Sequence, residues 1–189
     1  MNATGIILAG GKSSRMGTDK GLIELNGKKM VQYLIDVFKS LGLPVIIVAN
    51  NVEYGSFEAK FVQDRIKDHG PLAGIATGLF YSSTEKNVIL SCDTPFITSE
   101  LISFLLEESE NETITITKSF DRLHPLIGVY SKSCLPIIEQ ELDKNNLRLR
   151  DLCDKVNAKT VDVSNNDQFN SPDLFKNINT KEELEKLKV

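Results

Sequence analysis

A glycine-rich, positively charged loop directly after a short apolar run constrains this chain more than any other feature. The apolar run is residues 4–8 (TGIIL), and the loop follows as residues 9–20 (AGGKSSRMGTDK). Glycine lets backbone N–H groups approach phosphate oxygens, because no Cβ stands in the way. Arg15 and Lys20 can then neutralise the phosphate charge. The pattern predicts a triphosphate-binding loop at the end of a buried strand.

The spacing of the glycines excludes the two most common phosphate loops. The pair Gly10-Gly11 does not fit G-x-G-x-x-G, and no Gly-Lys-Ser/Thr closes a G-x-x-x-x-G segment. Glycine pairs beside serine and lysine are also common in plain turns, so this composition alone leaves a turn as an equal alternative. The spacing of Arg15 and Lys20 favours phosphate binding over a turn.

Composition indicates one compact enzyme without nucleic-acid or membrane partners. The 189 residues, 41% hydrophobic and 25% charged, suit a single globular domain. A net charge of -4 disfavours binding to nucleic acid or to an anionic membrane. The three cysteines have wide, irregular spacing, which predicts buried, reduced thiols, and the N-terminus lacks signal-peptide features. These features are typical of a cytoplasmic protein.

Hydrophobic periodicity predicts an alternation of strands and helices. The predicted strands are 4–8, 44–49, 60–63, 87–91, 113–117, 126–130 and 158–163. The predicted helices are 31–42, 71–81, 98–108, 131–143, 147–153 and a last one that opens with a Thr180/Glu183 capping box. Strict alternation in 113–117 predicts a half-buried strand, and 164–173 is predicted to be a long loop. The fold class is therefore α/β: a single doubly wound, Rossmann-like three-layer domain with a mostly parallel mixed sheet.

Polar residues stand where the predicted strands end, which is where open α/β sheets bind ligands. Asn50 follows the second strand and can contact a ribose or base, although an Asn pair after a strand is also typical of a simple turn. Asp93 follows a later strand in S-C-D-T-P and can bind Mg²⁺, which takes one or two carboxylates together with water and phosphate oxygens. Its alternative role is to cap the helix at residue 98.

Asp64 offers a different chemistry, base recognition. It follows the predicted edge strand 60–63 and precedes the basic turn 65–67. A carboxylate can accept both the N1–H and the exocyclic N–H of guanine, a pattern that cytosine and uracil do not present. The common alternative is a solvent-exposed loop aspartate without a ligand.

Five separated segments together resemble the molybdenum cofactor guanylyltransferase family. They are the loop L-A-G-G-K-S-S-R-M-G-T-D-K, G-P-L-A-G at 70–74, C-D-T-P at 92–95, H-P-L-I-G-V-Y at 124–130 and F-K-N-I-N-T at 175–180. The resemblance implies a nucleotidyltransferase-like fold and the transfer of GMP from GTP to Mo-molybdopterin. The products would be the guanine dinucleotide cofactor and pyrophosphate, and Mg²⁺ would be the cofactor. The span between His124 and Phe175 resembles the family weakly.

The resemblance also implies roles for individual residues. The GTP-binding set is Leu8, Ala9, Gly10, Gly11, Lys20, Asn50, Asp64 and Asp93. The catalytic set is Arg15, Lys20 and Asp93, with Asp93 as the metal ligand, and the acceptor-binding set is His124, Asn177 and Asn179. Residues 1–97 would form mainly the GTP and Mg²⁺ half of one domain, and residues 98–189 mainly the acceptor half. Proteins that deliver molybdopterin or receive the finished cofactor are the expected protein partners.

Two other functions remain open at this point. A pyrimidine (CTP) nucleotidyltransferase for a related pterin or for a polyol or sugar phosphate would share the first loop and Asp93. The segments H-P-L-I-G-V-Y and F-K-N-I-N-T disfavour it. A non-catalytic GTP-binding adaptor would keep the loop but lose the metal aspartate or the cations, and all three of Arg15, Lys20 and Asp93 are present here.

Overall fold

The computed structural model describes residues 2–10 and 19–185 of the chain. The strands are β1 Ala3–Leu8, β2 Glu24–Leu25, β3 Lys28–Lys29, β4 Val45–Val48, β5 Lys60–Val62, β6 Lys86–Ser91, β7 Ile114–Ser119, β8 Arg122–Ser131 and β9 Lys159–Asp162. The helices are α1 Met30–Ser40, α2 Gly70–Tyr81, α3 Ser99–Glu108, α4 Leu135–Asp143, α5 Leu149–Lys155 and α6 Lys181–Glu185. Short 3-10 turns lie at Lys20–Leu22, Val52–Ser56, Lys132–Cys134 and Pro172–Phe175.

Seven of these strands form one mixed, mostly parallel sheet, as the sequence predicts. Their order is β5-β4-β1-β6-β8-β7-β9, and β8 runs antiparallel to both of its neighbours. The register of the central strands pairs Leu8 with Val48 on one side and with Ser91 on the other. Three parallel strands therefore end at the same level, and the chain segments that leave them emerge side by side.

Helices cover both faces of the sheet, which gives the predicted three layers. On one face α1 and α3 pack with the segment 169–175 over a core that includes Phe38. On the other face α2, α4 and α5 pack over a second core that includes Ile6 and Tyr130. The strand β1 is buried on both faces, because apolar side chains that alternate between the two faces each meet a helical layer. The ends of these strands, where the predicted site residues lie, are thus held by the most buried part of the molecule.

Three predictions for the second half of the chain are wrong in detail. The predicted half-buried strand at 113–117 is β7, whose residues 114–117 are all buried, because helices cover both faces there. The predicted strand at 126–130 is the much longer β8, and its last residue Ser131 belongs to the strand rather than to a helix. A 3-10 turn separates β8 from α4. In the first half of the chain, the two-stranded hairpin β2–β3 was not predicted.

The segment that follows residue 175 returns to the carboxyl ends of the central strands. Its capping box forms as predicted: Glu183 N–H donates to Thr180 Oγ1 at 3.1 Å, and Thr180 N–H donates to a Glu183 carboxylate oxygen at 3.1 Å. Ile178 and Leu184 pack with Leu25 and Met30 in a small separate core. This core fastens the segment to the β2–β3 hairpin.

Among the helices that the structure describes, no helix has the length and apolar character needed to cross a membrane. The three cysteines are buried free thiols, as predicted. Burial raises the pKa of Cys134 to about 12 and that of Cys153 to about 11. These thiols therefore stay protonated and act as apolar core groups.

Candidate active site

A cleft of about 670 Å³ opens at the carboxyl ends of the central strands. Its described lining comprises Leu8, Gly10, Asp19, Val48, Asn50, Asn51, Asp64, Ile66, Asp68, His69, Gly70, Pro71, Gly74, Ser91 and Leu126. A Cβ on Gly10 would meet no heavy atom of the described residues within 4 Å, and Gly10 is part of the cleft lining. The position lets a ligand lie directly against the backbone, which a phosphate-binding loop requires.

Asp64 and Asn50 meet in this cleft although they lie on different loops. Asn50 Nδ2 donates to Asp64 Oδ2 at 3.5 Å, a long contact. The other oxygen, Asp64 Oδ1, is buried and has no hydrogen-bond partner among the described residues. Burial raises the pKa of the Asp64 carboxyl. A buried acceptor without a partner is costly, and a ligand that donates to it would recover that cost.

The start of α2 forms the wall opposite the strand ends. Gly70 begins the helix with a φ of 64°, a left-handed conformation that favours glycine, and Pro71 follows in its first turn. Further along, a Cβ on Gly74 would lie 3.2 Å from Leu8 Cδ2 and 3.8 Å from Asp64 Oδ1. The G-P-L-A-G segment thus lets the helix approach β1 closely and narrows the space in front of the carboxylate.

A second group of polar residues lies beside the cleft, around Lys20 and Asp93. Lys20 Nζ donates to Asn179 Oδ1 at 2.5 Å and lies 3.8 Å from Asp93 Oδ2. Asn177 Nδ2 donates to the same Asp93 oxygen at 3.4 Å, and Ile178 N–H donates to the Asp93 carbonyl at 2.9 Å. The structure therefore brings four predicted site residues together, two from the first half of the chain and two from the last segment.

Asp93 keeps one oxygen for a ligand. Its side chain is 15% exposed, and its Oδ1 is buried without a hydrogen-bond partner among the described residues. Burial of the neighbouring Cys92, together with the charges of Asp93 and Asp19, raises the pKa of that thiol, so it is no nucleophile. The residues that the structure describes contain no group of three or more His, Cys, Asp or Glu side chains suited to a metal. A single carboxylate oxygen suits a hard cation that takes its other ligands from substrate and water.

His124 lies outside the cleft lining. It is 7% exposed, its Nε2 shares a hydrogen bond of 2.8 Å with Ser119 Oγ, and its ring stacks on Phe175 at a centroid distance of 5.0 Å. Burial, and then the charge of Arg122, lowers the pKa of His124 to about 4. The imidazole is therefore neutral at neutral pH, and through Phe175 it supports the segment that carries Asn177.

Two predicted site residues are not described by the structure, and two residues at the site were not predicted. Gly11 and Arg15 lie outside the described residues. Two residues near Lys20 were missed: Asp19 lines the cleft, and the completely buried Tyr54 donates from its hydroxyl to Asp19 Oδ1 at 2.5 Å. Asp19 directly precedes Lys20 in the motif, which was an available signal, whereas nothing in the sequence near Tyr54 indicated this contact.

The arrangement resembles solved structures over nearly the whole chain. The molybdopterin-guanine dinucleotide biosynthesis protein A of Archaeoglobus fulgidus superposes with a TM-score of 0.84 at 24% identity, covering 98% of this chain and 96% of that protein. The mostly parallel mixed sheet with its ligand cleft at the strand ends is the α/β nucleotidyltransferase fold.

Sequence comparison defines the family. The model of the MobA-like NTP transferase domain matches residues 5–160. The probable molybdenum cofactor guanylyltransferase of Flavobacterium johnsoniae is 36% identical, over 98% of this chain and 96% of that protein. The molybdenum cofactor guanylyltransferase of Yersinia pestis is 38% identical, over 95% of this chain and 91% of that protein. This chain belongs to the MobA-like NTP transferase family, and it is an enzyme of the nucleotidyltransferase class.

The buried histidine gives a pH-dependent prediction. The pKa of His124 is about 4 in the folded protein, against an ordinary value of 6.5. Between these values the unfolded chain binds a proton that the folded protein does not, so this group's contribution to stability is complete above pH 6.5 and falls as the pH drops toward 4. We expect His124→Phe, which keeps a ring against Phe175, to lose less unfolding free energy over this interval than the wild type.

Urea unfolding followed by circular dichroism at pH 6.5, 5.5 and 4.5 measures this difference. Other carboxyl groups also titrate in this range, so the comparison is the difference between the two proteins' pH profiles. Parallel profiles would show that His124 is protonated equally in both states.

Proposed function

We propose that this chain transfers GMP from GTP to the terminal phosphate of Mo-molybdopterin and releases pyrophosphate. The observation that carries the proposal is the buried Asp64 Oδ1 in the cleft, which has no hydrogen-bond partner among the described residues and is an acceptor suited to the N–H groups of guanine. The relatives named molybdenum cofactor guanylyltransferase, similar over nearly their full length, support the same substrates.

The cleft suggests how GTP would lie. The guanine would sit between the Leu8 strand end and α2, with Asp64 accepting from its N–H edge and Asn50 beside it. The triphosphate would extend past Gly10 along the loop toward Lys20. All described lining residues except Leu126 precede residue 97, which supports a nucleotide-binding first half of the domain.

The donor set at Asp93 fits Mg²⁺. A hard carboxylate oxygen that is buried and lacks a partner among the described residues is a suitable first ligand, and phosphate oxygens and water would complete the shell. Bound Mg²⁺ would add positive charge next to the α-phosphate. Asp93 would be its protein ligand, while Asn177 and Lys20 hold the other carboxylate oxygen in place.

The transfer itself needs positioning and charge neutralisation from the chain. An oxygen of the acceptor phosphate forms a bond to the α-phosphorus of GTP, the bond to the β-phosphate bridging oxygen breaks, and pyrophosphate leaves. The acceptor phosphate is ionised at neutral pH, so no general base is required. Lys20, with Arg15 from the same loop, would offset the charge that builds on the α-phosphate and on pyrophosphate.

The acceptor would lie beside the cleft, next to residues 177–179. Asn177 and Asn179 extend from this segment to Asp93 and Lys20, so their amides stand next to the proposed reaction centre. His124 would act on the acceptor indirectly, by supporting Phe175 beneath this segment. Proteins that deliver molybdopterin or take up the product would approach the same side.

A direct test measures pyrophosphate release from GTP, ATP, CTP and UTP with Mg²⁺, each with and without Mo-molybdopterin. We expect release with GTP, dependent on Mo-molybdopterin, and little with the other three nucleotides. Preference for CTP would indicate a pyrimidine nucleotidyltransferase instead. Binding of GTP without pyrophosphate release under any condition would indicate a binding protein.

The metal assignment predicts a large effect of Asp93→Asn. Removal of the charged ligand should lower kcat/KM by about 100-fold or more, the size of effect seen when one preorganised group is lost from a transition-state site. The fold should persist, because Ile178 bonds to the Asp93 backbone carbonyl rather than to the side chain. The rise in melting temperature on adding Mg²⁺ with a non-hydrolysable GTP analogue should also disappear.

The matched control for this substitution is Asp162→Asn. Asp162 pairs with Lys118 at 2.7 Å on the exposed surface, so its loss should leave both activity and the Mg²⁺-dependent shift unchanged. An Asp93→Asn protein with wild-type turnover at saturating Mg²⁺ would show that the metal binds elsewhere.

The base assignment predicts a loss of discrimination in Asp64→Asn. Inosine triphosphate lacks the exocyclic amine of guanine, so the wild type should prefer GTP over it by about tenfold, as expected when one buried hydrogen bond is lost. Asp64→Asn places an NH₂ group toward the guanine N–H groups, which should weaken GTP more than inosine triphosphate. Asp68→Asn, which changes another carboxyl group of the same cleft, should keep the wild-type ratio. Equal losses for both nucleotides in Asp64→Asn would assign Asp64 to ribose or to the loop.

A further inference from the structure

Tyr54 is a completely buried tyrosine near the carboxyl ends of the central strands. It lies in the 3-10 turn Val52–Ser56, which follows β4. Its hydroxyl donates to Asp19 Oδ1 at 2.5 Å, and Gly21 packs closely against the same phenol oxygen. One buried oxygen therefore contacts the residues on both sides of Lys20.

The packing around this oxygen is close. A Cβ on Gly21 would lie 2.5 Å from Tyr54 Oη, so only glycine lets the backbone approach so near. Asp19 precedes the 3-10 turn Lys20–Leu22, but its side chain makes no capping bond there and turns to the phenol instead. Leu22 N–H donates to the Asp19 carbonyl at 3.0 Å, which closes the turn. The backbone on either side of Lys20 is thus fixed from two directions.

The protonation state of Tyr54 suits this role. Burial raises the pKa of its phenol well above the ordinary value, and the neighbouring Cys92 and Asp19 act in the same direction. The hydroxyl therefore remains a donor at neutral pH. Asp19 accepts from it, and Lys20 extends in the other direction to Asn179 and Asp93.

We propose that Tyr54 is a positioning residue for nucleotidyl transfer: its buried hydroxyl bonds to Asp19 and packs against Gly21, and so fixes the Lys20 ammonium beside the phosphates. The expected effect on catalysis rests on the proposed function. The contacts of Tyr54 with Asp19 and Gly21, which we call the clamp, do not rest on it. Tyr54 follows Asn50 by four residues in the segment that leaves β4. One short turn therefore links the base contact to the placement of the phosphate cation.

The clamp affects turnover more than binding. Tyr54 is 0% exposed and is not among the described residues that line the cleft, so its loss should remove no direct contact with GTP. A cation that stabilises charge as it develops must be held closely in place, and a small displacement reduces the rate more than ground-state affinity. A residue needed only for folding would change melting temperature and leave the ratio of kcat to binding affinity as it was.

The first experiment compares Tyr54→Phe with the matched control Tyr33→Phe. Tyr33 is a second tyrosine whose hydroxyl donates to a backbone carbonyl, that of Leu25, at 2.7 Å. We expect Tyr54→Phe to lower kcat by about tenfold or more, the consequence of losing one hydrogen bond to a charged group, with the Kd for a non-hydrolysable GTP analogue changed less than about threefold. Tyr33→Phe should keep kcat within about twofold of the wild type. Equal kcat in the two variants overturns the proposal.

Trypsin supplies a readout that needs no activity, because it cleaves after Lys20. Mass spectrometry of limited digests would follow the bond between Lys20 and Gly21 relative to cleavage sites elsewhere in the chain. Without the phenol oxygen, the backbone around Lys20 should open locally. The Lys20–Gly21 peptide bond should then be cut at least about fivefold faster in Tyr54→Phe but not in Tyr33→Phe. Unchanged cleavage overturns the clamp. If the wild-type protein releases no pyrophosphate from any nucleotide, the proposed function fails while this digest still decides the clamp.

Two changes at Asp19 keep the test decisive if Tyr54→Phe folds poorly. Asp19→Asn retains an oxygen that accepts from Tyr54, whereas Asp19→Ala removes the acceptor. We expect Asp19→Asn to keep at least about fivefold more kcat than Asp19→Ala and to protect the Lys20–Gly21 bond from trypsin better. Equal losses in both would show that the carboxylate charge, rather than the bond to Tyr54, is required.

Discussion

The parallel pairing of β1 with β4 and β6 is the constraint on which the site depends. Backbone hydrogen bonds continue one residue beyond the strands, from Ala9 N–H to the Val48 carbonyl and from Cys92 N–H to the Leu8 carbonyl. Neighbouring strands lie about 4.8 Å apart, so this ladder sets the distances between the segments that leave it. Those segments carry the proposed contacts to phosphate, base and metal. The spacing of these contacts is therefore a property of the sheet, and the loops only complete it.

In the part of the site that the structure describes, two carboxylate oxygens have no hydrogen-bond partner, and Lys20 is held mainly by a neutral group. Asp64 and Asp93 each have a buried oxygen with no partner among the described residues, which costs folding free energy. Lys20 is held by the neutral amide of Asn179 at 2.5 Å and lies farther from Asp93, at 3.8 Å. An amide orients the ammonium without cancelling its charge. Both carboxylates thus lower the unfolding free energy of the protein. Such a loss of stability is typical of binding sites in enzymes, and it suits the proposed binding of an anion together with a cation.

The sequence predicts the first half of the fold well, because continuous β-branched runs such as residues 44–49 identify strands buried on both faces. Asp64 and Asp93 were predicted as site residues because each follows a predicted strand, the short edge strand 60–63 for Asp64 and the buried strand 87–91 for Asp93. The Tyr54–Asp19 and Lys20–Asn179 contacts could not be found, because they join residues 35 and 159 positions apart and leave no periodic signal. The burial of β7 was predicted wrongly, because its threonines suggested that one face is exposed to solvent. Thr117 is buried instead, and it donates to the Ile127 carbonyl at 2.7 Å.

The contact between Lys20 and Asn179 has a consequence for biosynthesis. The ribosome makes Lys20 long before Asn179, which lies 159 positions further along the chain, and all strands of the main sheet except β1 lie between them. During synthesis the strands β1, β4 and β6 can pair and form the cleft while the lysine still lacks its amide partner. Closure of so long a loop comes late, after the local contacts have formed. A nascent chain can thus form the cleft before the contact between Lys20 and Asn179 exists, and synthesis of the segment 177–179 supplies that contact last.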